Sequence, residues 1–196
     1  MAASCVNAMA VGDCCALSSL PACPPLCYRR VLLQRIGVTM SMIGSFLALP
    51  QTELAALRDE PERIHDVLDS HENDVVDVDK AWHGIHFLLT GTVAAGAGPL
   101  ANVVFGRVPV GDEDVGYGPA MATDAADVPA IAAALASVTD ETLRTRFAPD
   151  AMAEIYPNIW DEGDEALDYL LENLDTLRTF YRDAAAGGLA VITWLN

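Results

Sequence analysis

Asp77-Val78-Asp79-Lys80-Ala81-Trp82-His83-Gly84-Ile85-His86-Phe87-Leu88-Leu89-Thr90-Gly91 is the densest mixture of apolar bulk and chemically useful side chains in this 196-residue chain. Asp79 reads as an N-cap, because its carboxylate can accept from the free N–H groups of a first turn, and Gly91 reads as a stop in the left-handed conformation. The stretch therefore predicts a helix over 80–90. At 100° per residue, Leu88, Ala81, Ile85, Leu89 and Trp82 form one apolar arc, with Phe87 on the far side. Such a helix is buried around most of its circumference.

The remaining side chains, Asp79, His83, His86 and Thr90, fall on one narrow polar stripe. Two histidines three residues apart can aim their rings at one point, and a carboxylate one turn earlier can ligate a metal or orient an imidazole. The same groups can serve as general acid and base, since imidazole titrates near neutral pH. Against this stands the plainer reading that a half-buried helix keeps its histidines hydrogen-bonded to backbone or to a neighbouring carboxylate. His-x-x-His alone does not decide between them, and no metal site is assigned, with His83 and His86 as the candidate ligands.

Outward from the helix, Met42 to Leu49 alternates apolar and small residues and predicts a first strand ended by Pro50. Two surface helices follow, one carrying Leu54 and Leu57, the other opened by Pro61 and carrying Ile64, Val67 and Leu68; His65 and His71 read as solvated polar residues. Thr92 to Pro99 is a glycine-containing loop without the spacing of a phosphate or dinucleotide fingerprint, so no cofactor is expected. Leu100 to Val110 is β-branched and aromatic and predicts a strand. The stretch Gly111-Asp112-Glu113-Asp114-Val115-Gly116-Tyr117-Gly118-Pro119 reads as an acidic loop that could bind a hard cation or simply be a solvated turn; it lacks the alternation of a calcium loop. Val128, Ile131, Leu135 and Val138 predict an amphipathic helix, and Thr139 caps a shorter one. Around Ile155 to Glu162, Tyr156 and Trp160 stand beside Asp161 in a loop, packing on the core or lining a pocket. Leu167, Leu170, Leu171, Leu174, Leu177, Tyr181 and Ala184 give the clearest helical period, ending at Gly187-Gly188. Leu189 to Leu195 is apolar on both faces and is expected inside a sheet.

A net charge of −17 opposes a nucleic-acid backbone or an anionic membrane as partner. All five cysteines lie between Cys5 and Cys27, so the remaining core holds no disulfide framework, as expected of a cytoplasmic protein. Residues 1–39 carry one acid, Asp13, against three arginines, with no helical or strand period. They read as a disordered leader or a start assigned too far upstream, with one domain over 40–196.

Met42-Ile43-Gly44, the Asp77 to Gly91 block, Gly116-Tyr117-Gly118-Pro119, Ile155-Tyr156-Pro157 with Ile159-Trp160, and the terminal Leu189 to Leu195 together resemble the YfbM-like family, domain of unknown function 1877, over residues 42–196. The resemblance implies a bacterial single-domain α+β protein and supplies no catalytic residues. The expected architecture is α+β, a mixed or antiparallel sheet packed by several helices. Two functions follow from the residues. One is a non-enzymatic acidic domain binding a protein or small molecule in a pocket beside His83 and His86, with Asp79, Trp82, Thr90, Glu113, Tyr117, Tyr156, Trp160 and Asp161 as further candidates. The other is a hydrolase-like or metal-assisted enzyme in which Asp79, His83 and His86 meet Glu113, Tyr117 or Asp161 in one cleft.

Overall fold

The computed structural model describes residues 41–196; the reading of 1–39 as a leader or upstream start lies outside the described residues. At its centre is β5 (Ala190–Leu195), five of whose six residues are buried. A strand apolar on both faces is stable only with a layer on each side, and β5 has β1 (Gly44–Leu49) and β4 (Pro119–Thr123) as antiparallel neighbours. β2 (Val76–Asp77) and β3 (Val108–Asp114) close the edges, in the order β2-β1-β5-β4-β3. The β1–β5 register pairs Gly44 with Leu195 through to Leu49 with Ala190, so alternate residues face alternate layers.

Phe46 and Val191 point to the larger core, under α3 (Trp82–Thr90), α5 (Val128–Ser137) and α8 (Asp164–Gly187), while Leu47, Leu49, Ala190, Ile192 and Trp194 point to the opposite face. That face is covered by α1 (Gln51–Asp59) and α2 (Ile64–Ser70) through Leu54, Leu57, Ile64 and Val67. Both helices lie at the surface, as expected, each with one apolar side on the sheet. The fold is thus α+β with an antiparallel sheet. Arg58 on α1 donates to both carboxylate oxygens of Asp124 (2.7 and 3.1 Å), and Gln51 donates to the same group at 2.7 Å, fastening α1 to the end of β4. His71, expected to be solvated, is instead half-buried between the carboxylates of Glu53 and Asp74, both at 3.1 Å.

α8 is the longest helix described, 24 residues, and buries Leu167, Leu170, Leu171, Leu174 and Leu177 on the predicted stripe; each contributes about 1.5–3 kcal/mol by leaving water. Gly188, at φ 63°, ends it in the left-handed turn that a Cβ would strain. The Thr139 hydroxyl accepts from the Thr142 N–H, so the predicted cap of α6 (Asp140–Arg146) is present. α7 (Pro149–Met152) follows and buries Met152.

Three expectations fail. Residues 100–110 are not one strand: Asn102–Phe105 forms α4, a single turn that buries Val103 and Val104 on one side, and the strand starts only at Val108, after Gly106 at φ 59°. Burial against α3 and α8 overrides the β preference of a short Val-Val-Phe run. Gly111 to Asp114 is strand, not loop, leaving only residues 115–118 as the hairpin turn, and β4 starts at Pro119, which was read as the end of the loop. Ala120 and Ala122 are buried with Leu54 and Leu57 of α1 while Pro119 and Met121 beside them are less so, but all four residues of Pro-Ala-Met-Ala are apolar and the sequence therefore shows no alternation. Finally, Asp79 is no N-cap: a 3₁₀ turn over Asp79–Ala81 precedes α3, which has no side-chain cap. Gly91 does stop the helix, at φ 73°.

Candidate functional site

α3 presents Trp82, His83 and His86 to a ring of aromatic side chains. Trp82 stacks on His83 (centroids 4.8 Å, planes 6° apart) and lies 6.0 Å from Tyr156, and Phe105 meets His86 edge-on at 4.6 Å. The Trp82 indole N–H donates to the Met42 carbonyl (2.9 Å), while the Met42 N–H donates to the Tyr156 hydroxyl (3.0 Å). The chain entering β1 is thereby clamped between the two rings.

The histidines do not converge. His83 Nε2 donates to the Val93 carbonyl (3.1 Å) and His86 Nε2 to the Ala94 carbonyl (3.0 Å). A carbonyl can only accept, so both rings carry their proton on Nε2. His83 Nδ1 then accepts from the Tyr156 N–H at 3.3 Å, while His86 Nδ1 is buried without a partner among the described residues. Burial holds both imidazoles below their ordinary pKa of 6.5, against the opposing pull of the carbonyl bonds. Neutral and committed, the pair anchors the 92–101 loop. Thr92 Oγ1 also donates to the Ala94 carbonyl (3.2 Å), and Thr90 Oγ1 donates to the His86 carbonyl (2.7 Å).

The anchored loop walls a recess of about 430 Å³, lined by Leu89, Thr90, Thr92 and residues 96–101. Gly98 and Pro99 also border a smaller hollow of about 210 Å³ with Asn102, Arg107 and Asp127, whose last two side chains form an ion pair. Of the polar stripe only Thr90 lines the recess.

Residues 40–194 match the family described as Domain of unknown function (DUF1877). The chain belongs to that family. It is also similar to a solved structure, YfbM from Escherichia coli, described as a protein of unknown function. Identity is 26%, the match covers 79% of this chain and 100% of that one, and the TM-score is 0.67. No curated protein matches the chain significantly.

In this DUF1877 domain the other sequence candidates are dispersed. Asp79, at φ 45°, accepts from the Tyr169 hydroxyl (2.9 Å), which itself accepts from the Lys80 N–H (3.0 Å). Burial and the facing Asp79 carboxylate raise the Tyr169 pKa. Trp160 is core: its ring lies against Gly84, and its N–H donates to the Ile155 carbonyl at 2.8 Å. Asp161 is exposed on the following 3₁₀ turn, Glu113 is exposed on β3, and Tyr117 is exposed at the hairpin turn with its N–H donating to Leu195. No hydrogen bond among the described residues joins these three side chains to either histidine, and no three His, Cys, Asp or Glu side chains among them are grouped to hold a metal. Tyr169 and Phe105, which complete the surroundings of the stripe, escaped sequence reasoning. Tyr169 lies on the predicted long helix, but its partner is remote in sequence.

Among the described residues no helix is long and apolar enough to cross a membrane.

Proposed function

We propose that residues 40–196 form a non-enzymatic binding domain, acting in the bacterial cytoplasm, that takes a small molecule or a protein side chain in the recess bounded by the 92–101 loop. The observation that carries this reading is the commitment of both imidazoles to loop carbonyls. Rings whose Nε2–H groups are spent on Val93 and Ala94, and whose Nδ1 atoms are used or enclosed, position a loop and do not shuttle protons. The loop they fix borders an open recess of about 430 Å³, a volume within the usual range for small-ligand sites. The acidic surface, net −17, speaks against nucleic acid as the partner. The cysteine-free stretch from residue 28 onward and the likeness to a protein of Escherichia coli support the location.

Gly96→Trp tests it. A Cβ at Gly96 meets only the Ala101 Cβ at 3.6 Å, so a large ring there fills the recess without straining the loop. In a ligand-observed NMR screen of a fragment mixture, compounds that bind the wild-type chain are expected to lose at least about tenfold in affinity to Gly96→Trp, at a melting temperature close to wild type. Hits that bind both chains equally would refute the recess. A turnover activity lost in His83→Ala would replace the binding reading with the enzymatic one.

A further inference from the structure

The sheet ends at β2, which has β1 on one side and no strand on the other among the described residues. An edge leaves N–H and C=O groups to which an extended chain can add. Beside β2 runs an open groove of about 480 Å³ between Val76 and a single face of α8. Phe180, packed edge-on against Phe46 at 6.0 Å, and Val76 make its apolar floor, and Glu172, Asp175 and Asp183 make its rim.

The rim is negative despite two nearby arginines. Arg178 binds Asp175 but is drawn to the α5–α6 side by Asp140 (2.7 Å) and the Val138 carbonyl (2.7 Å). Arg182 pairs with its neighbour Asp183 at 2.9 Å, but both side chains are exposed, so the pair is weak and leaves the Asp183 carboxylate open to an incoming cation. Glu172 has no ion-pair partner among the described residues, and Asp77 adds a further exposed carboxylate from β2 itself.

We propose that this groove, which shares no residue with the recess, binds an extended basic segment of a partner protein as a sixth strand. At the α-helical rise, Glu172 and Asp183 stand ~16 Å apart along the helix axis, a span that cations four extended residues apart, with Cα atoms ~13 Å apart, reach by splaying their long side chains outward. The segment therefore carries cations about four residues apart, flanking an apolar side chain that rests on Phe180 and Val76, in the pattern Arg-x-Val-x-Arg.

The test uses the full chain, ¹⁵N-labelled, and three capped peptides: TRTVTRT, its acidic counterpart TETVTET, and TRPVPRT, which keeps the charge but loses two ladder donors. TRTVTRT is expected to shift amides at 75–77 and 172–183. TETVTET is expected not to bind, and TRPVPRT to bind at least about tenfold more weakly. The triple variant Glu172→Gln, Asp175→Asn, Asp183→Asn should weaken TRTVTRT by about tenfold. Removing the same charge on the opposite face, with Glu62→Gln, Asp66→Asn, Asp69→Asn, should leave it within about twofold. No binding, shifts outside the groove, equal binding of TRPVPRT, or equal loss in both triple variants would overturn the proposal, the last by reducing it to general charge attraction.

Discussion

Burial sets the charge of His83 and His86, and that makes stability depend on pH. Both fold with a pKa below 6.5, chiefly through desolvation. Once the pH drops below about 6.5 the unfolded chain takes up protons that the folded chain refuses, and stability falls until the folded pKa values are reached. His71 works in the opposite sense. Its hydrogen bonds to Asp74 and Glu53 raise its pKa, so its contribution is full below 6.5 and is lost as pH rises through the folded value. Wild-type melting temperature is therefore expected to fall from pH 7 to pH 5, and His71→Gln to steepen that fall. A shallower slope in His71→Gln, read by calorimetry across this range, would contradict the assignment. The His-x-x-His spacing was legible in the sequence. What the rings bond to was not, because Val93 and Ala94 are apolar residues that offer only backbone carbonyls, invisible in a side-chain pattern.

Between elements, the approach of α3 to the start of α8 and the turn before it turns on one residue. A Cβ at Gly84 would stand 2.6 Å from a ring carbon of Trp160 and 2.7 Å from a methyl of Leu170. Alanine favours a helix over glycine by about 1 kcal/mol, whereas overpacking a closed core costs about 1–3 kcal/mol. Trp160 and Leu170 are both buried on all sides, so the clash should outweigh the propensity. Gly84→Ala is expected to lower stability by up to about 2 kcal/mol in urea unfolding; an unchanged or raised midpoint would mean that Trp160 can withdraw. Elements with a long period were legible here: α8 declares itself through its leucine stripe, and β5 through a run apolar on both faces. The 100–110 stretch did not, since a short Val-Val-Phe run suits a buried turn of helix as well as a strand.

Over the whole molecule, the net charge of −17 acts as a self-repulsion that salt relieves. Raising NaCl from about 10 mM to about 150 mM shortens the screening length from about 30 Å to about 8 Å. Exposed pairs such as Arg144 with Asp168 weaken too, but each contributes under about 1 kcal/mol. The melting temperature is thus expected to rise with salt, and a fall would show that ion pairs such as Arg58–Asp124 outweigh the repulsion. The family block over Asp77 to Gly91, the α+β class, the central terminal strand and the glycine stops at Gly91 and Gly188 were determined by sequence alone, whereas the antiparallel pairing throughout the sheet was not. Each rests on local physics: periodicity, the absence of a Cβ, or a run with no polar face. Only the tertiary structure decided that Asp79 turns to Tyr169, that Ala120 and Ala122 form a strand, and that the two histidines hold a loop. There the local preferences are weak or equal, and burial against partners distant in sequence chooses between them.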